Sequence, residues 1–365
     1  MENELNKKPI RWWKIPLGIL LVLILVVGGY VAYVFLSYNR IADNQPLEVI
    51  GNATDEAKVG ETYTVVSFNI GFGAYTPDFT FFMDGGKESR ARSKESVLAC
   101  TNGVTDMALS YEPDFVLFQE VDTDSTRSHH VNQAAIISER FAQEAPADSV
   151  FAINYHSAYL MYPLHSPHGA SNSGLLTESR LHITSALRRQ LPISTGFKKL
   201  LDLDRCYSIH RIPVENGKEL VLINVHLSAY GVEAGQGNAQ LEKIFADMKD
   251  EYENGNYVIC GGDFNHDFPG NSKEYFNPGT EKDFSWCHPF PDEYIPEGFT
   301  KCIDYSNGLV PSTRNTDIPY GPECFTVTLD GFIVSDNVEC SYVQNIDAGF
   351  AYTDHNPVVM KFSLV

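Results

Sequence analysis

The stretch VICGGDFNHD, residues 258–267, begins as an apolar run suited to a buried strand and ends in two glycines and a burst of polar side chains. Asp263, Asn265, His266 and Asp267 follow the run directly. Groups that resist burial, placed at the end of a core strand, fit one of two things. One is an ordinary loop; the other is a site on the rim of a sheet, where rigid strand ends hold polar groups still. The same arrangement recurs along the chain. VVSFNI ends in Asn69, VLFQEV carries Glu120 and LINVHLS carries His226. FTVTLDGFIV holds Asp330 in mid-run, and Asp354 and His355 precede the last apolar run, PVVMKFSLV. A single polar strand end is usually a cap or a turn. Six of them, each with a carboxylate, carboxamide or imidazole, point to a shared purpose.

The runs at 63–70, 114–121, 149–155, 173–179, 219–227, 256–265, 325–334 and 357–365 are short and rich in Val, Ile and Phe, so they predict strands. Helical spacing appears at 89–111, 131–145 and 238–255, the last closed by Gly255. Strands outnumber helices, which predicts a central pair of sheets covered by helices rather than one doubly wound sheet. The polar stretch 266–324 is too long for a structureless loop and reads as substrate-facing insertions. Within it, residues 284–299 either present Trp286, Phe290 and Tyr294 to a membrane surface or a ring, or pack on the sandwich.

The 365 residues are 43% apolar, ample for a large core, and carry a net charge of −20. Residues 1–43 sum to +2, which leaves about −22 on the remainder. So acidic a body repels a phosphate backbone and weighs against a general nucleic-acid binder. No charge occurs from Ile15 to Leu36, enough for one helix to cross a bilayer. A cleaved signal peptide competes with this reading, but its apolar core is normally about 7–15 residues and ends in a small-residue cleavage site. FLSYNRIADN offers a poor one. Lys7, Lys8, Arg11 and Lys14 precede the span and place the N-terminus in the cytoplasm. The expected organisation is a cytoplasmic N-terminus (1–14), a transmembrane anchor (15–37), a linker (38–61) and an extracytoplasmic catalytic domain (62–365). Seven cysteines show no metal-ligand spacing, and outside the cell a bridge such as Cys287–Cys302 is a candidate.

Carboxylates and carboxamides are hard oxygen ligands suited to Mg²⁺, and histidines with an orienting Asp suit water attack at phosphorus. Neither a GxxxxGK[ST] nor a GxSxG motif is present, so a P-loop nucleotide switch and a serine hydrolase have no support. SFNI, FQEV, NVHLS, GDFN and TDHNPV, in this order and spacing, resemble the endonuclease/exonuclease/phosphatase superfamily over about residues 63–365.

The resemblance implies a four-layer α/β sandwich and a Mg²⁺-dependent phosphoester hydrolase, with Mn²⁺ as an alternative ion. It implies Glu120 as the principal metal carboxylate, with Asn69 and Asp354 near the metal or its waters. Asp263 matches the residue that orients or deprotonates water, and Asn265 a phosphate donor. His355 matches the histidine at the scissile phosphate, Asp330 its orienting carboxylate and His226 the second histidine of the nuclease, sphingomyelinase and 5-phosphatase branches. Where the glutamate that pairs this second histidine should fall, the chain has Asn172 and Ser173, and Glu178 is out of register. Asn172 and Arg314 are expected to contact substrate. The PAWCDR-like and WDYF segments of two other branches are missing. The expected substrate is a lipid headgroup or small phosphoester reached from the membrane. An extracellular nuclease and, from another class, an inactive surface binding module are the alternatives.

Overall fold

The structure, a computed structural model, describes residues 12–194, 199–200, 203–229, 234–280, 284, 286–306 and 308–365. It divides into an N-terminal unit ending at Asn39 and a second unit from Arg40 to Val365. The first holds helix α1, Lys14–Leu36, whose 23 residues are long and apolar enough to cross a membrane.

The second unit is built on two seven-stranded sheets. One runs from edge to edge through β1 (Gln45–Leu47), β7 (Ser185–Gln190), β8 (Cys206–Pro213), β9 (Glu219–His226), β10 (Tyr257–Asp263), β14 (Asp330–Ser335) and β11 (Phe299–Cys302). The other runs through β15 (Val338–Asn345), β16 (Val358–Leu364), β3 (Thr62–Asn69), β4 (Phe115–Asp122), β6 (Gly169–Ser179), β5 (Asp148–Leu160) and β2 (Val49–Gly51). A small ribbon pairs β12 (Thr313–Arg314) with β13 (Thr326–Val327). Val65, Leu117, Leu222, Ile259, Phe332 and Met360 fill the space between the sheets. The outer face of the β9–β10 sheet packs on α4 (Ala234–Glu253) through Leu241, Ile244 and Met248. That of the β3–β4 sheet packs on α2 (Lys94–Leu109) and α3 (Gln133–Glu144) through Val104, Ile137 and Phe141. A short α5 (Ser272–Phe276) follows β10. The result is the expected four-layer sandwich.

Each sheet contains one parallel pair, and this sets the position of everything polar. β3 runs parallel to β4 with Asn69 opposite Gln119, and β9 runs parallel to β10 with His226 opposite Asp263. Parallel partners end on the same side, so four polar strand ends share one rim. The antiparallel neighbours enter from that rim: Asp330 starts β14 opposite Asp263, and β16 starts just after His355. The two glycines of VICGGDFNHD follow from the same packing. A Cβ on Gly261 would lie 2.4 Å from the Phe332 ring, and one on Gly262, at φ +144°, 2.1 Å from Val225 O.

Several expectations are revised. Residues 40–61, expected as a linker, belong to the body: β1 pairs with β7, β2 pairs with β5, and Ala57 N donates to Pro213 O at 2.8 Å. The run 325–334 is two strands, broken at Thr328 and Leu329. Cys287 and Cys302 are not bridged, and Cys287 packs instead with Phe284, Phe325 and Val327. Phe290 is buried against Phe264 and Phe268, and Trp286 packs beside Phe325. These aromatics serve the sandwich.

Glu178 lies fully buried on β6, where its Oε1 accepts hydrogen bonds from Ser138 Oγ (2.6 Å) and Ser149 Oγ (2.9 Å). Burial pushes its carboxyl up to about 7 from 4.5, against the pull of the two hydroxyls. Below the unfolded value both states are protonated. Between 4.5 and 7 only the unfolded chain releases its proton, so stability falls as pH rises across that window, by roughly 3 kcal/mol in full. Glu178→Gln is expected to match the parent in urea melts near pH 4 and to exceed it by that order at pH 8.

Candidate active site

The rim gathers its side chains through backbone made for the purpose. Glu120 sits at a bulge where the β4–β6 register shifts between Phe118 and Val121, with φ +55°. Asn265 turns the chain after β10 at φ +49°. Non-glycine residues hold such angles only where their surroundings over-determine them, and bulges re-aim side chains. At the end of β3, Asn69 Oδ1 accepts from Gly71 N at 3.0 Å, while its Nδ2 donates to Asp263 Oδ2 at 3.0 Å. Asp263 Oδ1 accepts from Asn265 N at 2.9 Å, and Asn265 Nδ2 is tied to Leu227 O at 2.7 Å.

Two imidazoles face the same carboxylate. His226 Nε2 lies 3.5 Å and His355 Nε2 3.8 Å from Asp263 Oδ2. They differ behind the ring. His355 Nδ1 donates to Asp330 Oδ2 at 2.8 Å, whereas the buried Nδ1 of His226 has no hydrogen-bond partner among the described residues. Burial draws His355 down, but the charges of Asp330, Asp263 and Asp354 outweigh it and hold the imidazole up, at about 10. Burial, then the charges of Arg205, His355 and Arg127, hold His226 well below the usual histidine range. Asp263 is pushed up to about 7 by burial and by Asp330, against His355 and its hydrogen bonds from Asn265 and Asn69.

Asp354 is pushed up to about 6 by burial, against the pull of His355, with the charge of Glu120 adding to the rise. Among the described residues no side chain donates to the Glu120 carboxylate, whose charge reaches Asp354. A Cβ on Gly71, at φ +50°, would come within 2.8 Å of Asp354 Oδ1. Asp354 Oδ1 accepts from Thr353 Oγ1 at 3.2 Å, and the two hard carboxylates on this rim fit a divalent cation. Asp263, Asp330 and His355 also bring ligating atoms within 4.8 Å of one another, a second set able to hold an ion. There, however, His355 Nδ1 is already taken up by Asp330 Oδ2.

Of the remaining residues, Arg314 adjoins this cluster through Asp354 and Asn172 lies just beyond β4. The Asn172 backbone is tied to Thr123 and Ser125 just beyond β4, and its Oδ1 has no hydrogen-bond partner. Arg314 is buried; its N donates to Asp354 O, and its Nη2 donates to Thr76 O at 3.0 Å and Phe79 O at 3.4 Å. Glu178 stays with Ser138 and Ser149, away from His226. His129 Nε2 meets Ala91 O and His130 Nδ1 meets Asp124.

Three supporting residues were not anticipated. Arg127 holds Asp122 with two hydrogen bonds of 3.0 and 2.9 Å and lies 4.0 Å over the Phe72 ring, beside Glu120. Thr353 Oγ1 donates to Asn69 O at 3.0 Å. Ser312 Oγ donates to Asp330 Oδ2 at 2.6 Å and accepts from Leu329 N and Asp330 N. Only Arg127 had a signal, an Arg five residues after an Asp that ends an apolar run; the other two are defined by contacts distant in sequence.

The fold and this cluster define a metal-assisted phosphoester hydrolase of the two-sheet sandwich type. The family model described as "Endonuclease/Exonuclease/phosphatase family" matches residues 66–355, and the chain belongs to that family. Solved structures share the fold at low sequence identity. An endonuclease/exonuclease/phosphatase from Beutenbergia cavernae aligns at TM-score 0.55 and 16% identity, over 83% of this chain and 72% of that one. D. rerio TDP2, complexed with a single-strand DNA product, aligns at TM-score 0.53 and 13% identity, over 83% and 99%. ANGEL2, a 2',3'-cyclic phosphatase in complex with adenosine-2',3'-vanadate, aligns at TM-score 0.54 and 14% identity, over 87% and 99%. No curated protein matches the sequence significantly.

Ser312→Ala removes one donor to Asp330 and the acceptor of two buried backbone amides. A loss of about 1–3 kcal/mol in urea melts is expected, the cost of leaving buried polar groups unpaired.

Proposed function

We propose that the chain is a membrane-tethered, Mg²⁺-dependent hydrolase that cleaves a lipid headgroup or small phosphoester by in-line attack of water. One observation carries this reading: Asp263 is held by Asn69 Nδ2 and Asn265 N, and two imidazole Nε2 atoms lie 3.5 and 3.8 Å from the oxygen that accepts from Asn69. In this reading Asp263 orients the attacking water and takes its proton. His355, kept charged by Asp330, meets the negative charge that builds on the phosphoryl oxygens, with Asn265 as a neutral donor beside it. A divalent cation held by Glu120 and Asp354, with Asn69 near it, would supply Lewis-acid charge at the same oxygens. Asn172 Oδ1, buried and without a partner among the described residues, is the substrate contact assigned to that side, and Arg314, whose N donates to Asp354 O, is the second.

The choice of substrate rests on charge and access. His226, Asp263 and His355 are each less than a tenth exposed, and the body carries about −22. A recessed site in an acidic body suits a small or terminal phosphoester better than the middle of a long polyanion. α1 supports the tether, with the basic residues before it on the cytoplasmic side and the catalytic body on the other face. An extracellular nuclease is the second reading, favoured by the fold shared with a DNA-bound neighbour. An inactive binding module is disfavoured because no central residue has been lost.

Asp263→Asn and His355→Ala are each expected to lower hydrolysis of a generic phosphodiester at least 1000-fold while circular dichroism is unchanged. Full turnover by either variant would overturn the catalytic role of that residue. EDTA should stop turnover and Mg²⁺ or Mn²⁺ restore it, since two carboxylates give an exchangeable site. Substrate class is decided by assaying the protein side by side on sphingomyelin, inositol phosphates, nucleotides and plasmid DNA. Rapid plasmid nicking at physiological salt, with no turnover of the others, would favour the nuclease.

A further inference from the structure

Cys302 ends β11, the edge strand of one sheet, and Cys340 lies in β15, the edge strand of the other, at the same margin of the sandwich. Cys302 stands opposite Phe332 on β14, and Cys340 opposite Phe362 on β16. Both phenylalanines point into the core between the sheets. Directly paired residues share a face of their sheet, so both cysteines point there too. Cys302 is buried in the cluster between the sheets and Cys340 packs against that cluster, while Cys340 Sγ donates to Tyr342 O at 3.6 Å. The other five cysteines lie elsewhere: Cys100 is buried in α2, Cys260 faces α4, Cys206 Sγ donates to Ile153 O, Cys324 Sγ donates to Asn315 O, and Cys287 belongs to a separate cluster.

We propose that Cys302 and Cys340 are the two halves of a cross-sandwich disulfide, formed by exchange with a disulfide co-reactant such as oxidised glutathione or an oxidoreductase. Cys340 is half-buried and Cys302 buried, so Cys340 meets the co-reactant. The neighbouring Cys302 thiol also holds the Cys340 thiol below its ordinary range. The Cys340 thiolate attacks one sulfur of the co-reactant and expels a thiolate, leaving a mixed disulfide. The Cys302 thiolate then attacks the Cys340 sulfur and expels the second. The two protein thiols lose two protons and two electrons, and the co-reactant leaves as two thiols.

The bridge closes a segment that contains both Ser312 and Asp330. That segment is already fastened at its far end, where Asn345 Nδ2 at the end of β15 donates to Val310 O at 2.8 Å. A covalent tie between β11 and β15 therefore secures the chain that brings Ser312 to Asp330, and through it the His355 dyad.

The test uses the full chain in detergent, reduced, freed of reductant, then equilibrated with oxidised glutathione at pH 8, alkylated and digested. A 302–340 linked peptide is expected, with the other five thiols alkylated or carrying single glutathiones. The oxidised protein should melt about 5–10 °C above the reduced one. Cys340→Ser and, separately, Cys302→Val should abolish both the peptide and the shift, and either variant alone suffices if the other fails to fold. Recovery of Cys302 and Cys340 as separately capped thiols after full equilibration, or of either joined to Cys287, would overturn the proposal.

Discussion

Gln119 Nε2 donates to Asn224 Oδ1 at 2.9 Å across the gap between the two sheets. Apolar contact between facing sheets is non-directional and tolerates sliding, whereas a buried amide pair does not, because a slip leaves polar atoms unpaired at low dielectric. Asn224 returns the constraint, its Nδ2 reaching Phe118 O, Leu176 O and Thr177 Oγ1 on the opposite sheet at 3.2–3.3 Å. Gln119 is the residue before Glu120, and Asn224 lies two before His226. Fixing this pair therefore fixes how the half of the site carried by β3 and β4 meets the half carried by β9 and β10. The distances from Asp263 to Asn69 and to the imidazoles depend on that registry.

With the sheets locked, the rim can hold conformations that local preference opposes. Glu120 and Asn265 both take left-handed backbone angles, and Asp330 keeps one carboxylate oxygen buried without a partner. Each costs something, of order 1–3 kcal/mol for a strained backbone residue, and persists because the surrounding core over-determines it. The bonds around Asp330 show how this is done. Ser312 arrives from a different stretch of chain and completes the turn into β14, so the carboxylate reaches His355 from a rigid base.

Most of the candidate site was legible because its residues lie in or next to apolar runs that are themselves local. GDFN, FQEV and NVHLS announce a strand and its polar end within ten residues, and the resemblance they carry extends the reading to roles. What escaped is what pairs at a distance. β7 and β8 carry Arg188, Arg189, His210 and Arg211, which break any apolar alternation. Arg188 is nonetheless buried, because its Nε donates to Ile153 O on the other sheet. β1 and β2 lie in a stretch that reads as a linker because three-residue strands have no period, and only β7 and β5 reveal them. Ser312, Thr353 and Gln119 are ordinary residues in sequence, made important by partners from 18 to 284 positions away.

The two histidines show how environment rather than residue type divides labour at such a rim. They face the same Asp263 oxygen at nearly equal range, yet only His355 has a carboxylate behind it. That carboxylate fixes the tautomer, with Nδ1 as donor, and stabilises the charged ring. His226 has an unpartnered Nδ1 and the positive fields of Arg205 and Arg127 about it, so it stays neutral. In the proposed reaction a charged His355 offsets negative charge at phosphorus, while a neutral His226 donates or accepts one hydrogen bond and cannot deliver a proton. The glutamate missing from the region of Asn172 is thus more than a lost contact. In the proposed reaction its absence, with arginines nearby, leaves the second imidazole as a hydrogen-bonding group and the acid–base burden on Asp263 and the solvent.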